Sequence, residues 1–381
     1  QVVRETRSAY YPTLNGELTG VAAEEGSRIS TGALSASRLL NHAGAGVELN
    51  QLITDFGRTR NLVASSSLQA KSAQQNSLAS QEDIVLAADI AFYRALEAQA
   101  TLQVAKSTVS DRRNVNDQVG ALTASKLKST LDQSFAQVNL SQANLLQLDA
   151  QNQYDAAMAS LNEVLGATDD TQYSLVDDPT PPAPIAPNAD GVIQLALQQR
   201  PDLQAAKLTH EADLRFARAQ HDQLLPTISG LGVVGGTPWA PNTAGNTFFL
   251  ENWYGAAGVN VQIPIFNGFK YHSEATEADL RAKASDAQSR VVLDRIVRDV
   301  RTAWLTMNTA QQRMSVTAEL LKEANTALDL ADTRYRLGLS SIVELSQAQL
   351  QQTQAQIADA NARFDYEADL AALRFQSGSQ P

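Results

Sequence analysis

A change of hydrophobic period within Gly258–Lys270 constrains this chain more than any other sequence feature. Val259, Val261 and Ile263 alternate with polar residues, as in a strand with one apolar face. From Lys270 to about Tyr335 the sequence contains neither glycine nor proline, and apolar residues recur at steps of three and four. This pattern predicts a strand that leads into one very long helix, and a second such junction follows the strand pattern before Asp55-Phe56-Gly57.

Landmarks in the first part of the chain recur in the second part in the same order. Tyr11-Pro12-Thr13-Leu14 matches Leu225-Pro226-Thr227-Ile228, and Val119-Gly120-Ala121-Leu122 matches Leu337-Gly338-Leu339-Ser340. Recurrence of this kind indicates an internal duplication. The predicted domains are a first structural repeat at 1–166, a proline-rich connector at 167–191 and a second structural repeat at 192–381.

Each repeat is predicted to hold two strands, a long helix, a turn at a glycine and a returning helix. The predicted elements lie at about 13–22, 44–53, 56–118 and 122–166 in the first repeat, and at about 201–224, 227–235, 255–265, 269–335 and 342–376 in the second. Helices of this length cannot fold back on a globular core, so they must lie beside one another as a coiled coil or tube. Because the counterpart of the helix at 201–224 would lie mostly before residue 1, we expect that roughly 25 or more residues precede this sequence.

The four predicted strands cannot form a closed sheet by themselves. They leave two unpaired edges, and a barrel needs about eight or more strands, so copies from several chains would have to close one. Aromatic residues cluster at both ends of the strands, which is typical of the two interfaces of a bilayer, although aromatics that cap a soluble sandwich are an alternative. The two clusters are Trp239, Phe248, Phe249, Trp253 and Tyr254 at one end, and Tyr10, Tyr11, Phe56 and Phe266 at the other.

Composition excludes several classes of function. The net charge of -11 argues against binding nucleic acid or an anionic membrane through bulk charge. The absence of cysteine excludes disulfides, iron–sulfur clusters and thiolate zinc sites. No run of residues approaches the roughly 18 apolar positions of a membrane-spanning helix.

No motif in the sequence predicts an enzyme. Gly230–Gly235 matches the dinucleotide fingerprint GxGxxG, but Thr237–Pro241 after it cannot begin the regular helix that the fingerprint requires. The four histidines have no metal-ligand spacing, and solvated faces account best for the acidic groups. We therefore predict no catalytic residue, no cofactor and no metal site.

Several short segments, in this order and at this spacing, resemble the TolC family of outer-membrane efflux proteins. The segments are Arg200-Pro201-Asp202-Leu203, Leu225-Pro226-Thr227, Ile263-Pro264-Ile265-Phe266-Asn267-Gly268 and Tyr335-Arg336-Leu337-Gly338-Leu339. The resemblance implies a mixed α/β membrane protein, in which four strands per chain contribute to a trimeric 12-stranded β-barrel in the outer membrane of a Gram-negative-type bacterium. It also implies a periplasmic tube of long helices, whose turns meet a periplasmic adaptor that joins the channel to an inner-membrane pump.

The resemblance assigns two groups of site residues. Docking of the adaptor is predicted at the helix turns, although glycines that merely end helices would leave the same pattern. A constriction of the pore is predicted beside them, with Glu344 six positions after Gly338, and a solvated helix face is the alternative there. The docking residues are Val119, Gly120, Ala121, Leu122, Leu337, Gly338, Leu339 and Ser340, and the constriction residues are Glu344, Gln347, Lys126 and Tyr335.

The predicted function is a passive exit duct for small molecules in a tripartite efflux pump. Its predicted partners are two further copies of the chain, a periplasmic adaptor, an inner-membrane pump and outer-membrane lipid, with no nucleic acid. The outer-membrane component of a type I protein-secretion system is an alternative within the same class. A soluble coiled-coil scaffold is the alternative from another class, and independence from detergent would identify it.

Overall fold

The computed structural model describes residues 1–22, 28–29, 37–38, 42–167, 173–177, 188–241, 247–248 and 253–379. The helices are α1 (Val2–Ser8), α2 (Arg58–Ala124), α3 (Thr130–Val164), α4 (Ala189–Gln199), α5 (Pro201–His221), α6 (Lys270–Arg336) and α7 (Ile342–Ser377). The strands are β1 (Thr13–Val21), β2 (Arg28–Ile29), β3 (Ser37–Arg38), β4 (His42–Thr54), β5 (Thr227–Pro241), β6 (Thr247–Phe248) and β7 (Trp253–Gln262). The four long strands form close to their predicted places, while α2 ends six residues later and α3 begins eight residues later than the sequence predicts. Most of the proline-rich connector and Phe249 lie outside the described residues.

The long strands form one antiparallel sheet in the order β1-β4-β5-β7. The central pair, β4 and β5, comes from opposite halves of the sequence, with Val47 opposite Val234. Within the described part of this sheet, β1 and β7 each pair with a single neighbour along one edge. The GxGxxG match at Gly230–Gly235 lies inside β5, where both of its edges are paired, and not at the start of a helix.

The two compact units of the chain do not coincide with the two halves of the sequence. One unit comprises Gln1–Gln75 and Gln204–Arg290, and the other comprises Asn76–Leu203 and Val291–Pro381. Strands from both halves pair with each other in the first unit, and long stretches of helix from both halves make up most of the second. None of the helices in the described part of the chain has the length and hydropathy required to cross a membrane.

Alanine supplies much of the helical core. Ala95 and Ala105 on α2 are fully buried, and Leu102 and Val109, which follow Ala95 at steps of seven residues, are buried as well. Small side chains at these positions let neighbouring helices approach closely, which explains a core that is poor in large residues.

The motif Arg200-Pro201-Asp202-Leu203 contacts the C-terminal end of α7 through the Arg200 side chain. The Arg200 guanidinium donates to both oxygens of Asp202, at 3.0 and 2.7 Å, and a further N–H donates to Gln376. The same guanidinium lies 5.4 Å from the centroid of the Phe375 ring. These contacts give the motif a structural role within the helical unit.

Candidate functional site: the two helix turns

The helix pairs α2/α3 and α6/α7 have nearly the same lengths and connections of the same length. Both α2 and α6 contain 67 residues, and each is followed by a five-residue link to the next helix. A shift of 212 positions, the difference between Arg58 and Lys270, superimposes both helix starts and both links. We call the links Ser125–Ser129 and Leu337–Ser341 the first turn and the second turn.

The two turns close with the same backbone hydrogen bonds. In the first, Lys126 N–H donates to Thr123 C=O at 3.0 Å and Leu127 N–H donates to Leu122 C=O at 2.8 Å. In the second, the N–H groups of Gly338 and Leu339 make the equivalent bonds, at 3.1 and 2.8 Å. This double bond defines the Schellman motif, whose central residue adopts the left-handed conformation. The central residues are Lys126, with φ of 58°, and Gly338, with φ of 75°.

The predicted position of the first turn is therefore wrong by six residues. Gly120 lies inside α2, and a Cβ there would meet the Gln133 side chain at 3.3 Å, so this glycine serves helix packing. The matching residue of Gly338 is Lys126, which sequence comparison missed because lysine rarely occupies a left-handed position. A better signal was present in Ser129-Thr130-Leu131-Asp132 and Ser341-Ile342-Val343-Glu344, since a serine followed three positions later by an acid marks a helix start.

The corrected alignment also restores an acid to the first turn. With a shift of 212 positions Asp132 corresponds to Glu344, so both returning helices begin with a carboxylate in the same place. The two acids act differently. Asp132 completes a capping box with Ser129, accepting its backbone N–H at 3.1 Å, whereas Glu344 accepts from Arg334 Nε at 2.9 Å. The structure thus pairs Glu344 with Arg334.

A small apolar cluster joins the two helix pairs beside the turns. Val119 and Ala136 of the first pair pack with Tyr335, Ile342 and Leu345 of the second, all of them buried. Val119, predicted to contact an adaptor, and Tyr335, predicted to line the constriction, are therefore part of the chain's own core. Of the other predicted docking residues, Leu337 and Leu339 are about two-thirds exposed, and so are Leu127 and Leu131 near the first turn.

Tyr335 is the most unusual member of the cluster. Its hydroxyl is buried and has no hydrogen-bond partner among the described residues, and Lys128 Nζ lies 4.1 Å from its ring centroid. Burial raises the pKa of this phenol, and the nearby Asp132 carboxylate raises it further. The phenol therefore stays neutral, and the lysine stabilises the ring through a cation–π contact.

Two of the histidines make contacts within the chain. His221 pairs with Asp279 at 3.0 Å, and His210 Nδ1 lies 3.1 Å from the carbonyl oxygen of Ala282. Within the described ranges, no three acidic or histidine side chains are grouped so as to hold a metal ion. The aromatics at one end of the strands are exposed, including Tyr11, Phe56 and Phe266; at the other end Trp253 is exposed too.

The sequence is similar to those of known outer-membrane proteins. Residues 192–379 match the family model described as "Outer membrane efflux protein". The chain is 25% identical over 374 residues to the outer membrane efflux protein BepC of Brucella suis, covering 94% of this chain and 75% of that protein. It is 22% identical over 317 residues to the outer membrane protein TolC of Vibrio cholerae, covering 82% of this chain and 71% of that protein.

A solved structure shows the same fold. It is a membrane protein from Pseudomonas aeruginosa, with a TM-score of 0.85 and 21% identity, and the match covers 99% of this chain and 87% of that one. The similarity therefore extends over the sheet as well as the long helices, and is not confined to the second half of the sequence.

Proposed function

We propose that this chain, whose residues 192–379 match the outer membrane efflux protein family, is the exit duct of a tripartite pump that exports small molecules. It is an outer-membrane protein with a large periplasmic helical part, and the family's work is transport without a reaction. Energy for export would come from an inner-membrane partner, through a periplasmic adaptor.

The observation that carries this proposal is the open sheet. Four antiparallel strands pair in the order β1-β4-β5-β7, and β1 and β7 each have one unpaired edge among the described residues. Apolar side chains on those strands are exposed, among them Leu14, Leu18 and Val259. In a bilayer each unpaired backbone group costs several kcal/mol, so the sheet must close through further copies. We infer that three chains contribute twelve strands to one barrel.

Assembly is tested in detergent. Light scattering with detergent correction should give a trimer, and circular dichroism should report its strand content. A stable monomer that keeps its strand content would contradict closure by assembly and favour a scaffold. Transport is tested separately: in cells that lack their own exit duct, the protein should restore efflux of a dye when the cognate adaptor and pump are present. Restoration of protein secretion without dye efflux would instead favour the type I alternative.

We place adaptor docking on the two turns. Leu127 and Leu339 occupy the same position of the two turns and are 71% and 67% exposed, and exposed apolar groups at a turn suit contact with another protein. Leu127→Glu and Leu339→Glu should each abolish cross-linking to the adaptor while the trimer still assembles. Leu78→Glu, at an exposed position within α2, is the matched control. Unchanged cross-linking in both turn variants would show that the adaptor does not dock at the turns.

We assign Glu344 to the pore constriction, with Gln347 one helical turn further along α7. In a ring of three, carboxylates about 8 Å apart would repel by about 2 kcal/mol at an effective dielectric of 20, so they would attract cations. Arg334, 2.9 Å from Glu344, partly offsets this charge. In single-channel recordings Glu344→Gln should weaken cation preference, and Arg334→Gln should strengthen it. Unchanged selectivity in both variants would show that Glu344 and Arg334 lie on a solvated helix face and not at the pore constriction.

A further inference from the structure

Arg112 of α2 is a buried cation in the helical unit that has no carboxylate partner. The residue is 8% exposed, and its Nη2 donates to the Thr353 hydroxyl of α7 at 3.2 Å. None of the ion pairs among the described residues includes Arg112. The neighbouring carboxylate along α2, Asp111, is exposed and adds a favourable charge without forming an ion pair. The protein therefore encloses this charge with no opposite charge in contact with it.

This arrangement is costly, and Arg112 cannot avoid the cost by losing its proton. Burial lowers the pKa of the guanidinium, whereas the Asp111 charge raises it, and burial is the larger effect. A guanidinium nevertheless stays protonated in proteins at physiological pH. Because buried charges in folded proteins are paired, an anion from outside the described residues is expected at Arg112.

A cavity of about 400 Å³ beside Arg112 has room for such an anion. It lies between α2, α3 and α7, and its apolar wall includes Leu146, Leu350 and Ile357. A water molecule occupies about 30 Å³ in the liquid, so the cavity is far larger than a monatomic ion requires. Cavities of this size, with an apolar wall and a few polar groups, are typical of sites for small organic molecules.

Two side-chain amides also line the cavity. Gln142 of α3 and Gln354 of α7 are exposed, and neither side chain has a hydrogen-bond partner among the described residues. Asn139, by contrast, is held by its hydrogen bond to Ser346 at 2.7 Å. The two glutamine amides can therefore turn toward a ligand oxygen without breaking a contact of the fold.

We propose that this cavity binds a small organic anion that carries one carboxylate and an apolar body. The Arg112 guanidinium would hold the carboxylate, because its parallel N–H groups match two carboxylate oxygens. Leu146, Leu350 and Ile357 would contact the apolar body, and removal of this surface from water favours the organic ligand over an inorganic anion. Since both helix pairs line the cavity, the bound ligand stabilises the contact between them. The site depends neither on the trimer nor on the pump.

Benzoate is a suitable probe, since it has one carboxylate and an apolar ring. With the full chain in an uncharged detergent at neutral pH, isothermal titration calorimetry should show benzoate binding. Benzoate should also raise the temperature at which the helical circular dichroism signal is lost. Benzamide has the same shape without the charge, and chloride has the charge without the apolar body, so each should bind about 10-fold more weakly or worse.

Substitutions identify the residues that hold the probe. Arg112→Gln should weaken benzoate binding by about 10-fold or more, because it removes charge-assisted hydrogen bonds. Arg113→Gln, at the adjacent exposed position of α2, is the matched control and should bind as the wild type does. Arg112→Lys keeps the charge without the two parallel donors and should bind with intermediate affinity; it serves as the test if Arg112→Gln does not fold. Leu350→Ser, at a half-exposed position, should weaken binding through the loss of apolar contact.

Equal affinity for benzoate in the wild type and in Arg112→Gln would overturn the assignment, as would a wild type that does not bind benzoate. Chloride binding as tight as benzoate binding would show that an inorganic ion meets the guanidinium and would overturn the organic ligand. If benzoate does not bind but Arg112→Gln loses cross-linking to the adaptor, an acidic side chain of the adaptor is the partner of Arg112, and the small-molecule site is excluded. Light scattering of the trimer and dye efflux are measured independently, so failure of this site leaves the proposed exit duct standing.

Discussion

The first turn and the second turn share one backbone but differ in the side chains that stabilise it. At the second turn, glycine occupies the left-handed position, and Ile342 and Leu345 anchor the returning helix in the apolar cluster. At the first turn, a lysine occupies the left-handed position, and the capping box of Ser129 and Asp132 begins the returning helix. The comparison shows that hydrogen bonding at helix ends determines the path of the chain, while burial and polar capping are interchangeable means of stabilising it.

The largest expected difference between the turns comes from burial. Leu345 is 1% exposed, whereas its counterpart Gln133 lies partly exposed at the same place in the first pair. Leu345→Ala should destabilise the helical unit by about 2–5 kcal/mol, because it removes buried methyl groups and leaves a cavity. Gln133→Ala should change stability by no more than about 0.5 kcal/mol. Urea denaturation followed by the helical circular dichroism signal measures both, and equal losses would break the comparison.

The left-handed residues should respond with opposite signs. Gly338→Val places a β-branched side chain at φ of 75°, which should cost about 1–2 kcal/mol. Lys126→Gly relieves the same conformation at φ of 58° and should stabilise the first turn by up to about 1 kcal/mol. The same denaturation experiment applies. We also expect Gly338→Val to lose efflux while the trimer still assembles. Normal export by that variant would show that the second turn is not needed for adaptor docking.

The caps should differ by a smaller amount. The Ser129 hydroxyl accepts from Asp132 N–H at 3.1 Å, and the Asp132 carboxylate in turn accepts from Ser129 N–H. The Ser341 hydroxyl accepts from Glu344 N–H at the longer distance of 3.4 Å, and the Glu344 carboxylate accepts from Arg334 instead. Ser129→Ala should therefore cost about 1 kcal/mol, and Ser341→Ala should cost less. Hydrogen exchange in the first turns of α3 and α7 reports each loss locally. A larger loss at Ser341 would show that the longer contact is the stronger cap.

The smallest effect concerns pH and again separates the two helix pairs. On α7, burial raises the pKa of Glu367 and Asp369; their counterparts on α3 are Asp155 and Ala157. A raised pKa in the folded state means that folding favours the protonated form. This contribution is complete below the unfolded pKa of a carboxyl group and disappears as pH rises through the higher folded pKa.

The helical unit should therefore melt at a higher temperature at about pH 5 than at about pH 7.5 with respect to these groups. Asp369→Asn should flatten that dependence, and Asp155→Asn, at an exposed position of α3, should leave it unchanged. Calorimetry across this pH range measures the slopes. If the melting temperature of the wild type is lower at about pH 5 than at about pH 7.5, groups other than Glu367 and Asp369 dominate the pH dependence.

Local chemistry alone determined most of the fold of this protein. Alternation in Val259, Val261 and Ile263, and the absence of glycine and proline over 270–335, predict the strand and the helix, because both patterns are read over neighbouring residues. The resemblance to the TolC family, which rests on short segments such as Arg200-Pro201-Asp202-Leu203, is likewise confirmed by the comparisons with known proteins.

Tertiary structure decided the position of the first turn. A glycine usually marks a Schellman turn, so Gly120 was the natural choice from sequence, but α2 continues to Ala124. Lys126 can occupy a left-handed position only because the backbone bonds around it, the capping box after it and the packing of Val119 and Ala136 outweigh about 1 kcal/mol of strain. Which side chains are buried was decided in the same way: Tyr335 and Val119 look like surface residues beside a turn until α7 packs against them. Such contacts join residues about 200 positions apart, and a local pattern of apolar and polar residues carries no information about them.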